Sequence, residues 1–263
     1  MPSVGAETGG RAAEGVMGAV VRALQWGLDR MLSVGYGVVY DAIFERFRPY
    51  QELQAEVLEL VEKGAPDAPR RDVQVLDVGC GPGNFTFVLA EAGFSTIGLE
   101  AYGALVELAR EKRRAKRLAN LAFRHGELAA GAGGRDASFD AVVSIHGLYV
   151  HPEPFTLLRE ARRVLKPGGH AVFVNPTRHV GQWSTFRDIK IRDGMRAALA
   201  SLLWLVPNSI FEVARKRIGP HYWDEHEFAA NLKAAGFTVL ATRRTFLNGA
   251  SVLVWARRDV EES

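Results

Sequence analysis

The chain has 263 residues, of which 48% are apolar and 24% are charged, and its formal net charge is +3 at pH 7. This composition is typical of a folded protein with a sizeable core, and it excludes a chain that is disordered throughout. The small positive excess indicates no nucleic-acid partner, and the single cysteine excludes an intramolecular disulfide and a cysteine-rich metal framework.

The N-terminal part predicts a disordered start and a helical cap. Residues 1–15 are rich in Gly, Ala and Glu without periodicity, which predicts disorder, and residues 16–70 predict the cap. Its helices are expected at Val16–Val34, Tyr40–Phe47 and Glu52–Lys63. The first has a wide apolar face, so it either packs in a lid or contacts a lipid surface. No secretory signal is recognisable, so we expect a cytoplasmic protein, which is membrane-peripheral in the second case.

From residue 71 onward, short apolar runs alternate with helical patterns, which predicts βα units and a parallel sheet. We expect a Rossmann-like, doubly wound α/β core over residues 71–176, completed by residues 223–263. The predicted strands are Val73–Val78, Thr96–Glu100, Ala122–His125, Ala141–Ile145, His170–Asn175, Thr238–Phe246 and Ser251–Arg257. The predicted helices are Asn84–Ala92, Tyr102–Leu118, Pro154–Leu165 and Asp224–Ala235. The turn Leu247–Gly249 joins the last two strands as a hairpin, so one of the two must run antiparallel to the rest.

A long connection, residues 177–222, separates the fifth strand from the last predicted helix. Its length is unusual for such a connection and predicts a helical lid over a substrate site, with an apolar helix Met195–Val206 that ends at Pro207. Its excess of Lys and Arg would favour an anionic substrate or lipid headgroups. Aromatic residues of this lid and of the N-terminal cap either line a pocket or form the lid's own core: Trp26, Tyr36, Tyr40, Trp183, Trp204 and Phe211.

The first core strand runs into a glycine-rich loop, Asp77–Asn84 (DVGCGPGN), and then into a helix. Glycines two apart allow a tight turn and a close approach to a ligand, and the helix N-terminus offers free N–H groups to an anion. A dinucleotide-binding loop would have Gly or Ala where Asn84 stands, which disfavours a nicotinamide cofactor. The loop has no lysine, which excludes ATP binding in the manner of a phosphate loop.

A set of motifs in fixed order resembles the class I S-adenosyl-L-methionine (SAM)-dependent methyltransferases, in particular the group that contains small-molecule and quinone methyltransferases. The resemblance covers residues 73–175 and extends more loosely to the C-terminus. Its motifs are Val75–Gly83, Gly98–Glu100, Gly126–Leu128, Ser138–Ser144 and Arg163–Gly169. The ordered set is far more specific than the glycine loop alone.

The resemblance implies that SAM is the cofactor and S-adenosyl-L-homocysteine the product. It implies that the Gly79–Gly83 amides meet the methionine carboxylate and that Asp77 meets the amino group. Glu100 would accept the ribose hydroxyls and Glu127 would face the adenine amino group, although family members more often have Asp at both places. The implied cofactor-binding set is Tyr40, Asp77, Gly79, Cys80, Gly81, Gly83, Asn84, Glu100, Ala101, Glu127, Leu128, Ser144 and Ile145.

Methyl transfer from a sulfonium needs mainly alignment and exclusion of water, and it needs a base only when the nucleophile arrives protonated. The candidates for a base or substrate contact are His146 and His151, which follow the fourth strand. His221, Asp224 and His226 are spaced too loosely to predict a metal site.

We therefore expect an enzyme that methylates an O, N or C atom of a small molecule, such as a secondary metabolite, a quinone or a lipid-like compound, partly apolar or anionic. A SAM-binding regulator or scaffold without turnover is the alternative. Methylation of nucleic acid or protein is disfavoured, because the charge is low and the Asn/Asp-Pro-Pro-aromatic motif of adenine and amide methylation is missing.

Overall fold

The computed structural model describes residues 35, 41, 47–177, 182–215, 221–247 and 249–260, and only the backbone at 182, 203, 204 and 207–215. The strands are β1 Gln74–Val78, β2 Ser95–Glu100, β3 Leu121–His125, β4 Phe139–Ile145, β5 Leu165–Pro176, β6 Thr238–Thr245 and β7 Ser251–Arg257. The helices are α1 Arg48–Gly64, α2 Asn84–Glu91, α3 Gly103–Lys116, α4 Pro154–Val164, α5 Gln182–Arg215 and α6 Glu225–Ala234.

Within the described residues, the strands form one seven-stranded sheet in the order β3-β2-β1-β4-β5-β7-β6. Strands β1 to β5 pair in parallel, and β7 runs antiparallel between β5 and β6. The predicted Rossmann-like sheet and its terminal hairpin are confirmed. The chain order reverses between β1 and β4, and such a switch point opens a crevice at the carboxyl ends of the strands.

The two faces of the sheet bury different clusters, because successive side chains of a strand point to opposite sides. Val75 and Val143 pack in a cluster with apolar residues of α1 and α2. Their neighbours Leu76 and Val142 pack in a second cluster with residues of α4 and α6. Helix α3 closes the β3 edge through Val106, which is fully buried. This layering explains why the strands read as apolar runs in the sequence.

The structure moves several predicted boundaries. Phe47 is extended, with φ −89° and ψ 99°, and precedes α1 instead of ending a helix. Helix α1 begins at Arg48, ahead of the predicted Glu52, because Pro49 lies in the first turn, where a missing N–H costs nothing. Strand β5 begins at Leu165, which pairs with β4 well before the predicted His170.

The lid helix differs most from its prediction. Helix α5 begins at Gln182, is kinked at Gly194, where φ is 86° and ψ is 174°, and continues to Arg215. The second helical part begins directly after Gly194, which agrees with the predicted start at Met195, whereas the predicted end at Pro207 is wrong. A proline removes one backbone donor and bends a helix, but it need not end it when the flanking turns keep their own bonds.

The remaining N-terminal predictions, including the amphipathic helix Val16–Val34, Trp26, Tyr36 and Tyr40, lie outside the described residues. In the part of the chain that the structure describes, no helix has both the length and the apolar character needed to cross a membrane.

Candidate active site

A cavity of about 250 Å³ opens at the carboxyl ends of β1, β2 and β4. It lies at the switch point of the sheet, where the loops after these three strands meet. The predicted site residues that line it are Gly79, Cys80, Gly81, Asn84, Glu100, Ala101, Glu127, Leu128, Ile145, His146 and His151. The topology therefore brings residues that are far apart in sequence to one wall.

Two glycines of the loop after β1 are required by its shape. Gly79 has φ +68°, and a Cβ built there would lie 3.2 Å from the Cα of Gly147 in the loop after β4. Gly81 has φ +55°, a left-handed conformation that glycine adopts without cost. No heavy atom lies within 4 Å of a Cβ built on Gly81, so a side chain there would project into open space at the cavity wall.

The amides of this loop are already bonded within the chain. Gly79 and Cys80 donate to the Leu99 carbonyl at 2.9 and 3.2 Å, and Gly83 donates to the Cys80 carbonyl at 2.9 Å. These three amides are therefore engaged within the chain, whereas the resemblance implied that the Gly79–Gly83 amides meet the methionine carboxylate. The first turn of α2, which begins at Asn84 in the cavity wall, carries N–H groups with no partner inside the helix. These N–H groups at the start of α2 are better suited to bind an anion in this cavity.

Glu100, at the end of β2, is held by backbone amides on both carboxylate oxygens. The amide of Gly81 donates to Oε2 at 2.9 Å, and the amide of Tyr102 donates to Oε1 at 3.0 Å. Glu100 is 7% exposed, and this burial raises its pKa. Each oxygen has two lone pairs, so each keeps one for a donor in the cavity. Glu100 can thus accept from two neighbouring hydroxyl groups.

Asp77 lies beneath the loop, outside the cavity lining. It is 2% exposed, and the Thr86 hydroxyl donates to its Oδ2 at 2.7 Å, which ties β1 to α2. Burial raises the pKa of Asp77 to about 7, and the nearby Glu100 carboxylate adds to this. In this geometry Asp77 supports the loop from beneath.

Two other predicted residues also lie outside the lining. Ser144 donates from its hydroxyl to the Val78 carbonyl at 2.8 Å and thereby joins β4 to β1. Gly83 approaches the Phe123 ring so closely that a Cβ would lie 2.7 Å from it. Both residues fix the backbone that carries the cavity wall.

His146 lies in the cavity wall in a left-handed conformation, with φ 57°. Its Nε2 lies 2.8 Å from the Ser251 hydroxyl, and its ring packs edge-on against Phe246 with 5.3 Å between centroids. Burial lowers the pKa of His146 to about 4, so the ring is neutral at pH 7.

His151 has a fixed tautomer. Its Nδ1 accepts the amide N–H of Glu153 at 3.0 Å, so the neutral ring carries its proton on Nε2. Burial lowers the pKa of His151, which favours this neutral form. The Nε2 atom is buried and has no hydrogen-bond partner in the described structure. His151 lines the cavity, its Nε2 is a buried hydrogen-bond donor, and in this form it cannot accept a proton at Nε2.

Tyr50 and Tyr149 also line the cavity, and no sequence pattern singled them out. Tyr50 comes from α1, where its helical spacing resembles that of core residues, and it is buried. Tyr149 contacts Tyr222, with 5.7 Å between ring centroids. Only the tertiary fold brings these rings to the cavity.

Of the loosely spaced residues His221, Asp224 and His226, the first two take part in hydrogen bonds that stabilise the local backbone. Asp224 is the N-cap of α6, where it accepts the Glu227 amide at 2.8 Å in a capping box. The His221 amide donates to the Tyr149 carbonyl at 2.8 Å and fixes the loop before α6. Among the described residues, no group of three or more His, Cys, Asp or Glu side chains could hold a metal ion.

A family model described as a methyltransferase domain matches residues 44–242. The chain is 35% identical to the demethylmenaquinone methyltransferase of Lactococcus lactis over 105 residues, 39% of this chain and 41% of that protein. It is 32% identical to the ubiquinone biosynthesis O-methyltransferase of Ralstonia nicotianae over 133 residues, 48% of this chain and 52% of that protein. The chain thus spans about half or less of the curated relatives that it matches.

Solved structures share the fold at low sequence identity. A SAM-dependent methyltransferase from Aquifex aeolicus matches with a TM-score of 0.53 and 18% identity, over 78% of this chain and 89% of that one. The cyclase SpnF matches with a TM-score of 0.56 and 19% identity, over 78% of this chain and 80% of that one. These likenesses support the α/β architecture described above.

Proposed function

Because this chain belongs to the methyltransferase-domain family, we propose that it transfers the methyl group of SAM to an acceptor atom of a small, partly apolar molecule. The observation that carries this proposal is the cavity at the switch point. Glu100 and the start of α2 contribute to its wall, and so does the loop with His146, Tyr149 and His151.

The residues of this wall fit SAM. The two free lone pairs of Glu100 match the adjacent ribose hydroxyls, and the N–H groups at the start of α2 match the carboxylate. Glu127 and Leu128 line the same cavity next to Glu100 and suit the adenine ring and its amino group. SAM supplies a methyl group that is already activated by its sulfonium, so the chain has to align the acceptor and exclude water.

The apolar lining favours an aromatic acceptor such as a quinol or a related phenol. Tyr50, Ile145, Tyr149 and Leu157 lie around the cavity and offer ring and aliphatic surface. Two relatives are named for demethylmenaquinone and ubiquinone biosynthesis, which supports this substrate class.

Arsenite, after which another relative is named, fits less well. Trivalent arsenic prefers thiolate ligands, and the chain has one cysteine, Cys80. Its side chain is 8% exposed, and burial raises the pKa of its thiol. A single buried thiol cannot supply several thiolates to one arsenic atom.

His151 favours an acceptor molecule with an oxygen that carries negative charge. Its Nε2–H can donate to a phenolate or enolate oxygen and stabilise it, while His146 remains neutral and engaged with Ser251. The chain therefore suits a nucleophile that has lost its proton before or during binding. A quinol carries such an oxygen. In O-methylation this oxygen is the acceptor atom, and in C-methylation it is bonded to the carbon next to the acceptor carbon.

The experiment is incubation of the full chain with labelled SAM and separate acceptors: a demethylated naphthoquinol, a demethylated benzoquinol, a catechol, arsenite with a thiol, and ribosomal RNA. We expect S-adenosyl-L-homocysteine and a product one methyl group heavier with at least one quinol or phenol. Binding of SAM without product from any acceptor would favour the regulator or scaffold instead. Methylation of RNA alone would contradict the proposed substrate class.

A further inference from the structure

Helix α5 exposes a stripe of large apolar side chains. On its second half, Met195, Leu199, Leu202 and Val206 are 49%, 54%, 37% and 53% exposed. Their spacing of three and four residues places them on one side of the helix. On its first half, Trp183 and Ile191 are 84% and 76% exposed. Several large apolar side chains this exposed on one helix are uncommon on a surface that contacts only water.

Three exposed cations lie beside these apolar side chains. Arg187 and Lys190 share one side of the helix with Trp183, and Arg196 follows the kink at Gly194. None of the three forms an ion pair with a residue in the described ranges, whereas Arg192 pairs with Glu52 and Asp193. We call Trp183, Arg187, Lys190, Ile191, Met195, Arg196, Leu199, Leu202 and Val206 the α5 surface.

Other side chains of α5 are buried. Ile189, Ala198 and Leu205 are 4%, 0% and 4% exposed. Leu205 packs in the same cluster as Phe246, whose ring contacts His146 in the cavity wall. Helix α5 is therefore partly buried, and the α5 surface is formed by its exposed side chains.

We propose that the α5 surface docks on an anionic lipid bilayer. Apolar side chains that are flanked by Lys and Arg, with a tryptophan at the edge, match the boundary between acyl chains and negative headgroups. A second copy of this chain fits less well, because a two-fold interface through this surface would bring like charges on Arg187, Lys190 and Arg196 together. This surface is independent of methyl transfer, and it would hold the cavity near lipid-soluble molecules.

The experiment is flotation of the full chain with vesicles of phosphatidylglycerol and phosphatidylcholine in equal parts, and with phosphatidylcholine alone. One variant, Arg187→Glu with Lys190→Glu, reverses the charge of two cations. Its control is Arg114→Glu with Arg117→Glu, which makes the same change of net charge on exposed residues of α3 and its C-cap. A second variant, Ile191→Gln with Leu199→Gln, removes apolar area. Its control is Leu240→Gln with Val260→Gln, which are also exposed.

We expect the chain to float with the anionic vesicles in a salt-sensitive manner and hardly at all with phosphatidylcholine. Both α5 variants should bind the anionic vesicles at least about tenfold more weakly. The first loses two cations that each contribute a several-fold effect near the surface, and the second loses apolar area. Both controls should bind like the original chain. Unchanged thermal unfolding and SAM affinity show that the variants are folded. Absence of flotation, equal losses in the controls, or a dimer that Ile191→Gln with Leu199→Gln dissociates would each overturn the proposal.

Discussion

At the residue scale, the candidate site depends on which hydrogen-bonding groups the chain has already used. The backbone takes one lone pair from each oxygen of Glu100 and leaves the other two for a ligand. At His151 it takes Nδ1 and leaves a donor at Nε2. The same side chains would have different chemistry with other partners, so the partners of a group matter as much as its identity.

Gly81 tests whether the ligand lies against the loop. We expect Gly81→Asn to weaken SAM binding by about tenfold or more, because the new side chain projects into the cavity. Asn tolerates a left-handed backbone better than other residues with a side chain, so thermal unfolding should change little. Titration calorimetry gives the affinity. Gly131→Asn is the matched control, because Gly131 also has a positive φ, 82°, and open space around it, but it lies outside the cavity lining.

His151 tests the donor role that is assigned to Nε2. We expect His151→Leu to lower kcat/KM by about 10- to 100-fold, the usual effect of losing one hydrogen bond to a charged group. His151→Gln, which keeps a donor, should lose less, and SAM affinity should stay the same in both variants. Steady-state kinetics from pH 4.5 to 9, a range that extends below the usual imidazole pKa, provide the check. A loss in the Gln variant that appears only above the pKa of the imidazole would instead identify His151 as a base.

Asp77 predicts a pH dependence of stability. Because its pKa is raised from 3.8 to about 7 in the folded chain, the folded state holds this proton more tightly than the unfolded state does. The Asp77 contribution is therefore most favourable below about pH 4 and is lost as the pH rises towards 7. Asp77→Asn keeps an acceptor for Thr86, so its free energy of unfolding relative to the original chain should rise from pH 4 to pH 8. Urea unfolding that shows a constant difference would contradict this prediction.

At the element scale, the cavity depends on how closely the loops after β1 and β4 approach. Ser144 joins the two strands, and a Cβ built on Gly147 would lie 2.9 Å from its hydroxyl oxygen and 3.1 Å from the Val78 carbonyl. These elements therefore have little freedom to move apart or together without changing the cavity. The same holds for α1, which contributes Tyr50 to the wall because it is packed on the sheet through Leu53 and Val57.

Gly147→Ala tests this close approach. We expect it to reduce the free energy of unfolding by about 1–3 kcal/mol and to weaken SAM binding, since the added methyl group pushes the loops apart. Ser144→Ala in the same chain removes the nearest contact and should restore part of the affinity. Urea unfolding and calorimetry on the single and double variants measure both effects. Equal affinity of Gly147→Ala and the original chain would show that the loop spacing does not shape the site.

At the scale of the whole molecule, the sheet and its switch point could be predicted because buried parallel strands leave apolar runs in the sequence. The positions of the glycine-rich loop and of Glu100 could be predicted for the same reason, since both follow such runs. The predicted helix boundaries near Pro49 and Pro207 were wrong, because proline is tolerated at more helix positions than we assumed when we let it end a helix. The burial of Asp77 and the bond from Glu153 to His151 depend on tertiary packing, which a linear pattern does not contain.

The central claim is that Glu100 and the start of α2 bind the two ends of SAM, and titration calorimetry tests it most directly. We predict that the original chain binds both SAM and S-adenosyl-L-homocysteine. Glu100→Gln should bind both at least about tenfold more weakly, because an amide NH₂ replaces an acceptor oxygen. Glu107→Gln, a change at an exposed carboxylate of α3, should bind normally. No heat with the original chain, or full affinity in a folded Glu100→Gln variant, would contradict the claim.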